Sequence, residues 1–101
     1  MALRDEVLFS LRIFTTDNTA LNNEVDRWIS AAILDLSRTA DIAVFTADAA
    51  DAYQKEAIIT YCHYQYEQDT TLKDRYLQAY ESQKSKMRIS HYYRPAAGGG
   101  T

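Results

Sequence analysis

The sequence predicts an all-α fold, a small bundle of about four helices with a flexible C-terminal tail. Three observations carry that prediction. Residues 1–94 contain neither glycine nor proline; the one proline and all three glycines fall in the last seven positions. Sandwiches and barrels need turn residues every 8–12 positions or so. Apolar residues instead recur at i, i+4, i+7 and i+8 over long stretches, the signature of one helix face. Finally, 101 residues that are 47% hydrophobic and 25% charged make one domain able to bury its own core, and exclude collagen-like or wholly disordered chains.

The first helix is expected over about Ala2–Ile13, where Leu3, Val7, Leu8 and Leu11 form a stripe. The cluster Thr15-Thr16-Asp17-Asn18-Thr19 should end it and supply N-cap candidates for the next helix. That second helix, about Ala20–Thr39, carries the clearest period: Leu21, Val25, Trp28, Ile29, Ala32, Ile33 and Leu36 share a face, which reads as the spine of the core. Ala40–Asp48 breaks the period. It reads as a connector whose Ile42, Val44 and Phe45 either pack on the core or meet a neighbour.

The third helix is expected over about Ala49–Glu67. Tyr53, Ala57, Tyr61 and Tyr64 make one line and Ile58 with Cys62 the adjacent one, so more than one face should be packed. Asp48 and Asp51 are expected in its first turn, where carboxylates favour the positive end of the helix dipole. After the junction Gln68-Asp69-Thr70-Thr71, a fourth helix is expected over about Leu72–Ile89, with Thr71 and Asp74 at capping-box spacing. Its Leu72, Tyr76, Ala79, Tyr80, Gln83 and Met87 keep the period, and Lys84, Lys86 and Arg88 make its end basic. Residues 1–89 thus form a helical domain, and 90–101 a flexible tail of Gly-rich, aperiodic sequence.

Signatures of catalysis and cofactor binding are missing: no GxGxxG, P-loop, HExxH or GxSxG occurs. No catalytic residue, cofactor or metal is expected. Cys62 and His63 are adjacent, so on a helix they diverge by about 100° and do not share a metal. Cys62 is expected as a small buried hydrophobe, and His63 at a surface or interface. A lone cysteine excludes an internal disulfide. Met1–Glu6 carries two acids and no apolar run follows, so no secretory leader is expected, and no stretch approaches the roughly 20 apolar residues of a membrane span.

Two features point to partners. Tyrosine occurs eight times, with five of these at Tyr61, Tyr64, Tyr66, Tyr76 and Tyr80, flanking one junction. That cluster reads either as a helix–helix contact or as an interface. Tyr92 and Tyr93 lie in a segment with no core of its own, beside Arg88 and Arg94, and read as binding anchors. Charge is also divided: residues 1–69 carry a net −7 and residues 70–101 a net +4, within a total of −3. Such a split suits a polyanionic partner or head-to-tail association of identical subunits.

The whole succession resembles a known family. An opening helix ends in Leu11-Arg12-Ile13; a polar loop follows; a long helix runs Leu21-Asn-Asn-Glu-Val-Asp-Arg-Trp-Ile-Ser-Ala-Ala-Ile-Leu-Asp-Leu36; a short apolar linker leads to Asp51-Ala-Tyr-Gln-Lys-Glu-Ala-Ile-Ile-Thr-Tyr61; the last helix carries Tyr76-Leu-Gln-Ala-Tyr-Glu-Ser-Gln-Lys84. Over about residues 3–90 this resembles the small all-α head–tail connector (adaptor or head-completion) proteins of tailed double-stranded DNA bacteriophages. The resemblance implies a virion protein at the head–tail interface, assembled in the host cytoplasm. It implies a ring, commonly of twelve subunits, docked on the portal protein. The ring would extend the DNA channel and form a platform for the next connector, stopper or tail-completion protein, with DNA passing through unbound. It allows a monomeric free protein and implies no catalytic residue. The expected contact residues are Ile42, Val44 and Phe45 in the connector and Arg88, Tyr92, Tyr93 and Arg94 at the end. The alternative is a small helical nucleic-acid-binding regulator using Lys84, Lys86, Arg88 and Arg94, whose affinity would fall steeply with salt.

Overall fold

A computed structural model describes residues 2–14, 17–39 and 45–89. It is an all-α bundle of four helices: α1 (Leu3–Ser10), α2 (Thr19–Thr39), α3 (Ala52–Tyr66) and α4 (Thr70–Ile89), with a single 3-10 turn at Ala47–Ala49 before α3. No strand occurs among the described residues. The expected flexible tail, residues 90–101, lies outside them.

Each boundary has a local cause. Helix α1 is shorter than the periodicity suggests and closes at Ser10. Arg12 adopts the left-handed region, with φ 63°. There the Arg12 amide donates to the Phe9 carbonyl at 3.0 Å and the Ile13 amide to the Leu8 carbonyl at 2.9 Å, the bond pattern of a Schellman stop. Arginine in place of glycine costs about 1 kcal/mol in this conformation, offset by Ile13 packing onto the core. Asn18, within the predicted capping cluster, accepts from the Leu21 amide at 3.0 Å and starts α2.

Asp51 is the N-cap of α3 and not a residue of its first turn, and Asp48 belongs to the separate 3-10 turn. A reciprocal capping box forms: the Gln54 amide donates to Asp51 Oδ1 at 2.9 Å, and the Asp51 amide donates to Gln54 Oε1 at 3.0 Å. The alanine replacement Asp51→Ala is therefore expected to lower stability by about 1 kcal/mol, read as a shift in the urea midpoint. Helix α4 is capped two residues earlier than expected. Asp69, not Thr71 with Asp74, accepts from the amides of Thr71 and Leu72 at 2.9 and 3.1 Å.

The core is continuous through all four helices: Leu3, Val7 and Leu8 from α1; Val25, Ile29, Ala32 and Leu36 from α2; Ala57, Ile58 and Cys62 from α3; Tyr80 and Met87 from α4. Of the α2 stripe, Val25, Ile29, Ala32 and Leu36 are buried, and Leu21, Trp28 and Ile33 are half-buried against them. The hub, however, is α3, which packs against α1, α2 and α4. This explains its lack of a one-sided apolar stripe: a helix covered on three sides has little solvent face to mark. Cross-helix pairs set the directions. Ser10 meets His63 and Glu6 meets Lys55, so α1 runs parallel to α3. Tyr64 meets Lys73, His63 meets Tyr76 and Tyr61 meets Tyr80, so α4 runs antiparallel to α3, while Trp28 of α2 meets Tyr66. Arg4 ties α1 to α2 through a bidentate contact with Asp26, both bonds 2.9 Å.

Candidate functional site

The predicted contact residues divide by position. Ile42, Val44, Tyr92, Tyr93 and Arg94 lie outside the described residues. Phe45 is half-buried and packs against the core. Arg88 is exposed on the last turn of α4.

The tyrosine cluster is mostly internal packing. Tyr61 sits 5.2 Å from Tyr80 and 6.1 Å from Tyr64, ring to ring. Tyr66 meets Trp28 of α2 edge-on at 6.4 Å. Lys73 lies 4.6 Å above the Tyr64 ring and donates to the Tyr64 carbonyl, closing the α3–α4 hairpin.

A polar seam joins α4 to α2. The Tyr80 hydroxyl donates to Asp35 Oδ2 at 2.7 Å, and Lys84 Nζ donates to the same oxygen at 2.9 Å. Glu81 Oε2 lies 3.0 Å from Lys84 Nζ. The Lys84 side chain is only 8% exposed, while that of Asp35 is 34% exposed. Burial alone would lower the lysine's pKa, but the bonds and charges of Asp35 and Glu81 outweigh it and lift the value above normal. Burial, then Asp35, hold the Tyr80 hydroxyl protonated far above the usual tyrosine range. Lys84 is therefore not part of an exposed basic face, which leaves Lys86 and Arg88 as the exposed cations of α4's last turns. Nothing in the sequence separates Lys84 from Lys86 except the helical period: Lys84 falls four residues after Tyr80 and three before Met87, both buried.

At the other end of α3, His63 sits between α1 and α4. Ser10 Oγ donates to the Val7 carbonyl at 2.7 Å, so its lone pair faces His63 Nε2 at 3.1 Å and Nε2 carries the proton. The imidazole meets the Tyr76 ring at 5.2 Å, the two planes tilted by 46°. A serine whose proton is already given to a backbone carbonyl is not activated by this histidine. Burial lowers the His63 pKa, opposed by the charge of Glu67. The unfolded chain then takes up the proton first as pH falls. Stability should be complete above about pH 6.5 and decline from there down to the folded-state value. Thermal melts between neutral pH and the onset of carboxylate titration should show this decline, and His63→Gln should flatten it. Cys62 is fully buried and its thiol is pushed up to about 12 by burial, so it packs as a hydrophobe. No cluster of metal-ligating side chains occurs among the described residues, and no helix there is long and apolar enough to cross a membrane.

The surface feature that sequence reasoning missed is aromatic. Phe9 and Phe14 are 61% and 70% exposed, and their rings meet edge to face at 5.5 Å. Beside them lies an open groove of about 370 Å³ lined by Glu6, Phe9, Ser10 and Ile59. The signal was present in the period: Phe9 falls off the Leu3–Val7–Leu8–Leu11 stripe, about 100° from Leu8.

Comparison with protein-family models, with curated proteins and with solved structures found no match to this chain.

Proposed function

We propose that this chain is a structural assembly protein of a tailed bacteriophage. In this reading it is a head–tail connector that docks as a ring on the portal after DNA packaging. The ring extends the DNA channel and offers the platform for the next connector, stopper or tail protein. Assembly takes place in the host cytoplasm, and the finished ring belongs to the virion.

The observation that supports this reading is the order of the residue patterns along four successive helices. Leu11-Arg12-Ile13 closes α1, Leu21 to Leu36 occupy α2, Asp51 to Tyr61 open α3, and Tyr76 to Lys84 lie in α4. Charge supports it. A ring is built from unlike faces meeting, and a chain with a −7 portion and a +4 portion has unlike faces to offer. A channel that conducts DNA must not hold it, which suits an acidic body. The neutralisation of Lys84 by Asp35 and Glu81 weakens the basic face that a nucleic-acid regulator would need.

The test is direct. Purified protein is mixed with the portal protein of the same virus and inspected by electron microscopy and native mass measurement. Ring-bearing portals are expected, and removal of residues 90–101 should reduce docking. No portal binding, together with normal virus assembly by the truncated protein, overturns the reading.

A further inference from the structure

We propose that the Phe9–Phe14 pair and the groove beside it form a self-complementary contact, through which two copies of the free protein associate weakly about a two-fold axis. This contact does not rest on the connector reading, since ring contacts join unlike faces and this one joins like faces.

The first argument is shape. The Schellman stop at Arg12 turns Ile13 onto the core and sends Phe14 outward, where it braces against Phe9. A knob and a hole thus lie side by side on one patch. A two-fold rotation places each Phe14 in the other copy's groove, as an isologous contact requires. A void of about 150 Å³ already accepts a benzene ring, so the groove, about 370 Å³, has room for a phenyl.

The second argument is charge. Arg12 is exposed, two residues before Phe14, and its guanidinium has no acidic partner among the described residues. Glu6 lines the groove, facing Lys55 at 3.4 Å, and a carboxylate can accept further donors. Seating Phe14 in the partner's groove brings Arg12 toward Glu6, twice per dimer.

The third argument is area, which sets the strength. Two rings exposed to this degree present about 250 Å² of apolar surface, taking roughly 200 Å² per phenylalanine. Stable interfaces bury about 800 Å² per partner. The association is therefore weak and concentration-dependent.

The experiment is sedimentation velocity on the full chain from micromolar to millimolar concentration, with circular dichroism to verify the fold of each variant. The average mass should rise toward that of a dimer. Phe14→Asp, a change at an exposed position, should weaken association roughly tenfold or more. Arg12→Glu and Glu6→Lys should each weaken it, and the double variant Glu6→Lys/Arg12→Glu should recover it. A chain that stays monomeric to its solubility limit overturns the proposal and leaves the patch to a different protein. So does a dimer that Phe14→Asp leaves intact. Failure of the double variant to regain association overturns the Arg12–Glu6 pairing.

Discussion

Replacing Asp35 with alanine is expected to destabilise the fold by about 2–4 kcal/mol, slightly less than the cost of breaking a fully buried ion pair. The discount follows from the geometry: Asp35 is 34% exposed and Glu81 remains near the lysine. Even so, the change strands two groups. Lys84 is left with its ammonium on a side chain 8% exposed, and the Tyr80 hydroxyl, on a residue 2% exposed, loses its acceptor. Removing the other partner is cheaper. In Lys84→Met the carboxylate of Asp35 keeps the Tyr80 hydroxyl and its access to water, and the methionine stem fills the lysine's volume, so a loss of about 1 kcal/mol or less is expected. The double variant Asp35→Ala/Lys84→Met should be more stable than Asp35→Ala alone, because no buried ammonium then depends on the exposed Glu81 as its remaining carboxylate. Urea unfolding followed by far-UV circular dichroism checks the order. If Lys84→Met cost more than Asp35→Ala, the lysine would not be the desolvated partner. The seam also sets an alkaline limit. Folded-state values raised above normal for both Lys84 and Tyr80 mean that their contributions are complete below about pH 10 and are lost as pH rises further. The alkaline loss should be shallower in the variant Tyr80→Phe/Lys84→Met than in the wild type.

The helices were legible because their cause is local and periodic. The α2 stripe from Leu21 to Leu36 faces the core, with Val25, Ile29, Ala32 and Leu36 buried and Leu21, Trp28 and Ile33 half-buried at its edges, and Asn18 falls inside the predicted capping cluster. Errors arose where a local signal had competitors. Asp48, Asp51, Asp69 and Thr71 are all able caps, and only the chain's path decides which one meets an amide. Arg12 carries no sign of a left-handed residue, since that conformation is imposed by Ile13 reaching the core. The role of α3 as hub was hidden because packing on three sides erases the stripe that marks a one-sided helix. The burial of Lys84 is not legible in the sequence, because it depends on a carboxylate forty-nine positions away, and charge counting takes no account of distance in space. The exposed Phe9 was legible in principle, since it falls off the stripe, whereas Phe14 keeps the stripe's period and is exposed because the helix ends before it.

Leucines 34 and 36 supply the sharpest test of the core. They share a helix and a chemistry, yet two residues of α2 turn the chain by about 200°. Leu36 is 0% exposed and Leu34 is 56% exposed. Truncating Leu36 to alanine removes buried methyl groups and leaves a cavity that the rigid contacts of α3 cannot close. A loss of about 2–5 kcal/mol is expected, against a total stability of about 5–15 kcal/mol for a domain of this size. Truncating Leu34 removes surface that water already reaches, so its effect should lie within about 0.5 kcal/mol. Intrinsic helix propensity cannot produce the difference, because both changes end in alanine on the same helix. The denaturant slope should stay constant in both variants while only the Leu36→Ala midpoint falls. A melting temperature for Leu36→Ala lower by roughly 10–30 °C follows from the same figure. Equal effects at the two positions would mean that α2 does not present the Val25–Ile29–Ala32–Leu36 face to α3, and the packing order of the whole bundle would have to be redrawn.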